Sequence, residues 1–411
     1  METTEAVEPV GGADPSLSQL RDASAASAAA RKSSGDGGEE RARGGGLYWI
    51  VAVSHLVADM YPPFVTALAA SLEANLSLSA RQVALLFALS PIVSGLTQPI
   101  FAHVTDRLDT RVCGPLGVGL CAVFLSSLGY ARSFEELVLL QVVGMAGVGM
   151  LHPVLAALAG ELGAASMQRR AGSARGFALS IFFAMGMAGG VVGPIVATRV
   201  NEHLGMRWLA LAAAPGLLCA ALLMAARKTP HRQQQAGAQQ RRRTTLDKMD
   251  SVAIAALFVS NALRFTVNIG LWYCFMQWAK TQRADADAAS SLAGDVIASA
   301  QLGMGLTALA FGLIVRTGRE KPALALSGLL TAPAVALMAW APLGTMHLLA
   351  FIAAAGFFGM APQAIAAAQR LLPASTGLAG AIMMGCGWFI SALGPEIAKA
   401  TIERTGSLAW A

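Results

Sequence analysis

The sequence predicts an all-α polytopic membrane protein built from two pseudo-repeated six-helix bundles, with the twelfth helix missing from this chain. Three observations predict it. Of 411 residues, 55% are hydrophobic and 13% charged, about half the charged share of a soluble domain; the mean hydropathy is +0.56. The apolar residues come in blocks of roughly 20, enough for a helix to span about 30 Å of hydrocarbon. A spanning helix satisfies its backbone internally, and the short alternating segments of a barrel are absent. Finally, one glycine pattern occurs twice. Gly176, Gly186, Gly193-Pro194 and Gly205 return as Gly377, Gly387, Gly394-Pro395 and Gly406, each displaced by 201 residues.

Residues 1–46 are rich in Ala, Ser, Gly and Glu, and are expected to form a disordered cytoplasmic tail. The tail has neither the apolar core nor the cleavage site of a secretory signal. Six apolar segments follow, at 47–72, 81–105, 113–131, 136–162, 173–200 and 207–226, and make an N-terminal bundle over 47–226. Pro62 and Pro63 should bend the first of them, as a hinge for rocking. Residues 227–250, with Arg241-Arg242-Arg243, form a basic cytoplasmic linker. Segments at 251–279, 293–315, 322–341, 345–368 and 375–400 belong to the C-terminal bundle, 251–411. The repeat pairs the fifth segment with the eleventh, so a twelfth is expected after Gly406, as the sixth follows Gly205. The chain stops at Ala411, five helices and the start of a sixth into that bundle. Such parallel repeats recur among transporters.

Charge sets the expected orientation. With the tail in the cytoplasm and one crossing per segment, 21 of the 30 basic residues fall on the cytoplasmic side and eight outside. This bias predicts a cytoplasmic N-terminus and an inner or plasma membrane location. The net charge of +6 sits in loops, so topology accounts for it and no nucleic-acid partner is expected. Cys113, Cys121, Cys219, Cys274 and Cys386 are scattered through apolar segments and read as inert thiols. No metal-ligand spacing, Ser/His/Asp constellation or Gly-x-x-x-x-Gly-Lys-[Ser/Thr] loop is evident. The expectation is therefore a non-enzymatic monomer with no cofactor, driven by an ion gradient or running downhill.

Polar residues inside apolar segments are the functional candidates. A carboxylate at the bilayer centre costs about 2.5–3.5 kcal/mol on insertion scales. Asp59 lies near the middle of the first segment, with His55 one turn earlier on the same face. Arg264 lies near the middle of the seventh. An Asp59–Arg264 pair would keep Asp59 ionised, either for function or as a structural tie between the halves; an unpaired Asp59 could carry a proton. His152 precedes Pro153 and has two readings, a substrate or proton role and a bond to a carbonyl freed by the proline. Asn261, Asn268, Trp272, Tyr273 and Gln277 give the seventh segment a polar, aromatic stripe that either lines a cavity or bonds neighbouring helices. Gln363 on the tenth is similar, and Glu396 reads as interfacial. Gly186, Gly189, Gly190, Gly193 and Pro194 share one helix face that permits close packing in lipid, as do Gly387, Gly394 and Pro395.

Several stretches resemble the major facilitator superfamily, and within it the fosmidomycin-resistance drug efflux type. Ala102 to Arg111, with Asp106, Arg107 and Arg111, resembles the superfamily's cytoplasmic signature, though Ala102 stands where Gly is usual. The resemblance implies a gating latch against the start of the eleventh helix near Ser375. The second-half counterpart, Gly312 to Lys321, lacks the Asp. Gln141 stands where the superfamily's fourth helix normally bears Arg. Gly147, His152 and Pro153, the run His55 to Tyr61, and Leu263-Arg264 resemble the narrower type, although Ala58 departs from the usual Asn. The resemblance implies a major facilitator fold whose first and seventh helices line a central cavity. It also implies proton-coupled antiport exporting a small amphipathic or anionic compound, a phosphonate among the candidates. The alternatives are a carrier for metabolite uptake or facilitated diffusion, and a non-transporting membrane protein, a sensor or degenerate paralogue.

Overall fold

The computed structural model describes residues 44–105, 112–166, 174–226, 248–315, 319–358, 361–372, 380 and 382–411. Ten helices among them are long and apolar enough to cross a membrane. The first, α1, spans Gly44–Ala67. It is interrupted at Tyr61 and Pro62, where neither proline offers an N–H, and continues through Ala69–Leu76. Then come α2 (Ala80–Thr105), α3 (Cys113–Ser126), α4 (Phe134–Ser166), α5 (Ala174–Leu204) and α6 (Met206–Ala226). The second series is α7 (Lys248–Gln282), α8 (Ala286–Ile314), α9 (Glu320–Met338) and α10 (Leu343–Phe358, resumed at Ala361–Leu371). The eleventh segment, α11, is present as Ile382–Cys386, Gly387–Ser391 and Leu393–Thr405.

Local signals set several boundaries. Ser79 and Gln82 cap α2 reciprocally: Gln82 N–H donates to Ser79 Oγ (3.3 Å) and Ser79 N–H to Gln82 Oε1 (2.9 Å). The eighth helix begins seven residues earlier than its apolar run suggests. Asp285 caps it, accepting the Ala288 N–H at 2.7 Å, and the polar first turns carry Asp287, Ser290 and Ser291.

Helix α3 packs on α4 and α6, α2 on α4, and α4 on α5. In the other half α8 packs on α10 and α7, α9 on α10, and α11 on α7. The two halves meet along α5–α8 and α2–α11. The glycine repeat acts at equivalent places. A Cβ on Gly189 or Gly193 would strike the carbonyls of Leu56 and Met60 on α1. One on Gly394 would strike Thr266 O and lie 2.7 Å from Gly270 N on α7. So α5 lies against α1 as α11 lies against α7. The matched glycines that end these helices both have positive φ, 92° at Gly205 and 65° at Gly406, and only Gly406 is a left-handed cap.

At the end reached by Leu76, Leu204 and Gln282, polar bonds tie the halves. Lys280 pairs with Glu73 at 2.7 Å and Arg199 with Asp295 at 3.0 Å. Asn201 donates to Asp287 at 2.7 Å, and Ser71 Oγ–H to Ser290 Oγ at 2.8 Å. The outward faces are apolar: Leu217, Leu218 and Leu222 on α6 and Leu326, Leu329 and Leu330 on α9 are exposed. Such surface is a liability in water and suits hydrocarbon.

Candidate functional site

Between the halves lies a cavity of about 1120 Å³, part of it open to solvent. Helix α1 contributes His55 and Asp59, α2 Ser94 and Gln98, and α4 His152. From the other half come Phe265 and Trp272 on α7, Gln301 on α8 and Trp388 on α11. Among the described residues lining it, Asp59, His55 and His152 are the only ones with titratable side chains. Among the described residues no Lys or Arg lines it.

The three form a cluster that rests on helix periodicity and on one close approach. His55 and Asp59 sit one turn apart on α1, with His55 Nε2 3.2 Å from Asp59 Oδ2. His152, from α4, places its Nε2 3.2 Å from the other carboxylate oxygen, Oδ1. The remaining ring nitrogens are anchored. His55 Nδ1 is 2.8 Å from Phe182 O and His152 Nδ1 is 2.8 Å from Val148 O. A carbonyl only accepts, so both Nδ1 atoms carry hydrogen and donate. His55 also stacks on Phe182, with centroids 3.8 Å apart and planes at 4°. Its Nε2 is buried and, despite the nearby carboxylate, makes no hydrogen bond among the described residues. Gly186 on α5 makes the approach possible: a Cβ there would collide with Asp59 Oδ2 and His55 Cε1.

With Nδ1–H fixed on both rings, a neutral imidazole turns its Nε2 lone pair towards a carboxylate oxygen. Lone pair against anion is repulsive, so each 3.2 Å contact calls for a proton between the two atoms. A cluster stripped of all protons would leave a carboxylate flanked by two lone pairs in an apolar cavity, a costly arrangement.

Of the two readings given for Asp59, the pairing with Arg264 is not the one seen, and of the stripe on the seventh segment Trp272 lines the cavity while Asn261 bonds a neighbouring helix. Asp59 meets the two histidines instead. Arg264 faces α9 and α10, donating to Ser327 Oγ (2.9 Å), Gly356 O (2.8 Å) and Leu324 O (2.8 Å). Asn261 does not line the cavity: it donates to Met383 O at 2.7 Å, a carbonyl in the π-helical stretch of α11. Tyr273 is buried edge-on to Phe87, 5.5 Å between centroids, and accepts from Gln277 at 2.8 Å. Asn268 is buried, is not among the residues that line the cavity, and its Nδ2 makes no hydrogen bond among the described residues; Gln363 is half-buried beside Pro362, which does line it. Gln141 bonds α4 to α2 through Leu86 O (2.7 Å) and Ser90 Oγ (2.9 Å). The latch residues Asp106, Arg107 and Arg111 lie outside the described residues. Gln98, Gln301, Phe265 and Trp388 join the site without having been singled out. For the glutamines the available signal was a polar side chain within an apolar block.

A sequence profile of the Major Facilitator Superfamily matches residues 47–395. The fosmidomycin resistance protein of Escherichia coli (strain K12) is 26% identical over 179 residues, 43% of this chain and 42% of that protein. The uncharacterized MFS-type transporter YfnC of Bacillus subtilis (strain 168) is 28% identical over 170 residues, 40% of this chain and 39% of its own. The matched regions thus span about two-fifths of these relatives. Among solved structures, the nucleoside transporter NupG (D323A mutant) superposes with a TM-score of 0.63 at 17% identity. That match covers 88% of this chain and 92% of NupG and speaks for the fold alone.

Proposed function

As the chain belongs to the Major Facilitator Superfamily and is a multi-pass membrane transporter, we propose that it works as a proton-coupled antiporter exporting a small amphipathic molecule. The observation that carries this reading is the His55–Asp59–His152 cluster, the titratable group of a cavity shared by both halves. Alternating access would come from rocking 47–226 against 251–411 about that midplane site, with 227–250 as the connecting linker. Protons held between the imidazoles and the carboxylate would enter from one side and leave as substrate binds from the other. Arg264 is engaged with α9 and α10 and no Lys or Arg lines the cavity among the described residues, which favours an amphipathic over an anionic cargo. Its aromatic wall, Phe265, Trp272 and Trp388, suits a planar apolar body. Trp272 Nε1 and Gln301 Oε1, buried and without protein partners among the described residues, would bind an acceptor and a donor on it. The excess of basic residues on the side of the N-terminus supports a cytoplasmic N-terminus; a plasma or inner membrane location and a monomeric unit are part of the same proposal.

The test is proton efflux from acid-loaded everted vesicles on adding candidate compounds, wild type beside Asp59→Asn. A compound that dissipates the gradient only with wild-type protein supports antiport. Counterflow without proton movement in both proteins would replace it with a uniporter or uptake carrier.

A further inference from the structure

Seen from the carboxylate, the cluster has the features of a coordination site. A histidine that ligates a metal through one nitrogen donates its other N–H to a backbone carbonyl, carboxylate or water, which fixes tautomer and ring direction. Both histidines here do so, through Phe182 O and Val148 O at 2.8 Å each. Both therefore turn Nε2 towards Asp59, at 3.2 Å from its two oxygens. Bonds of about 2.0–2.1 Å in tetrahedral geometry put neighbouring donor atoms about 3.3 Å apart, close to that spacing. One donor atom from each of the three residues lies within 4.8 Å of the others. His55 is 1% exposed, and its Nε2 lacks a hydrogen-bond partner among the described residues although it is aimed into the cluster. The repulsion between that lone pair and the carboxylate 3.2 Å away is relieved by a proton on Nε2 or, in its place, by a bound cation.

We propose that His55 Nε2, His152 Nε2 and the Asp59 carboxylate bind one first-row divalent cation of the Zn²⁺ or Co²⁺ type, with a coordination position left open to the cavity. Two imidazoles and one carboxylate are a borderline donor set that suits these ions better than Mg²⁺ or Ca²⁺, which prefer oxygen cages. All three residues line the cavity, so the open position faces the space where cargo would sit. Binding replaces whatever protons the Nε2 atoms hold and leaves the Nδ1–H donors in place. The inference concerns the side chains assigned to proton coupling but does not depend on transport.

The test is a Co²⁺ titration of the full-length, tag-free protein in detergent, followed by the visible d–d absorption, with Zn²⁺ competition. Wild-type protein should take up one ion per chain, displaced by Zn²⁺. Asp59→Asn and His152→Gln should each weaken uptake by at least about tenfold, since even outer partners of metal ligands are worth 10–100-fold. His347→Gln, on α10 and outside the cluster, should bind as wild type does. Absence of the bands at millimolar Co²⁺, or equal uptake by all four proteins, overturns the site. Proton exchange is assayed in vesicles of the same wild-type preparation. Exchange without cation uptake defeats the metal site and leaves the antiport reading standing; uptake without exchange does the reverse.

Discussion

Gly186→Ala tests the construction of the site with a single methyl group. The added Cβ would overlap Asp59 Oδ2 and His55 Cε1 and lie 2.9 Å from His55 Nδ1. Ordinary contacts are about 3.5–4.0 Å, so one side must retreat by roughly 1 Å. His55 resists, being held by Phe182 O at 2.8 Å and stacked on the Phe182 ring. The strain falls on Asp59 or on the α1–α5 contact. Overpacking of this kind costs about 1–3 kcal/mol, and Ala in place of Gly in a helix returns at most about 1 kcal/mol. The net is a loss of up to about 3 kcal/mol, centred near 1–2 kcal/mol. Gly344→Ala, where a Cβ meets nothing within 4 Å, is the control. Thermal unfolding in detergent should show Gly186→Ala clearly below wild type and Gly344→Ala at or above it. Proton-linked exchange should fall about tenfold for each 1.4 kcal/mol lost at the site. A Gly186→Ala protein with wild-type stability and exchange would refute the placement of α5 against the cluster.

Arg264→Met removes the bonds to Ser327 Oγ, Gly356 O and Leu324 O; Leu324 O keeps the Ser327 hydroxyl as a donor at 2.8 Å, so the loss falls mainly on Gly356 O, about 1–3 kcal/mol when buried. Thermal stability should drop while the Kd for cargo in the folded fraction stays unchanged; a selective loss of cargo affinity would place Arg264 in the binding site after all. Asn261→Ala removes the bond to Met383 O and should cost about 1 kcal/mol in thermal unfolding. Lys280→Ala breaks a partly exposed pair with Glu73, worth only about 0.2–1 kcal/mol. Its effect should appear as faster labelling of a cysteine placed at Thr66, on the cavity wall, from the Leu76 end; unchanged labelling would show that the pair does not hold that end shut.

The helices were legible because a bilayer-spanning helix leaves a long apolar block, and the repeat because glycine–proline spacing survives where side chains vary. Asp59 and His55 were legible for the same local reason, a turn apart in an apolar segment. Their meeting with His152 was not: it depends on how α4 crosses α1, set by packing between residues 97 apart in sequence. Arg264 misled for the converse reason. The sequence places a charge at mid-membrane depth, but the helix face it occupies is decided by the carbonyls of α9 and α10. The π-helical turn at Ile382–Cys386 leaves no compositional trace, and only the Asn261 donor facing it hints at a displaced carbonyl.

The most direct test of the central claim is proton release on cargo binding, measured in weakly buffered detergent solution with purified protein and a compound found in the vesicle assay. Wild-type protein should release protons in proportion to bound cargo, and Asp59→Asn should bind the compound with no release. Proton release from Asp59→Asn equal to wild type would contradict the assignment of the cluster as the coupling site.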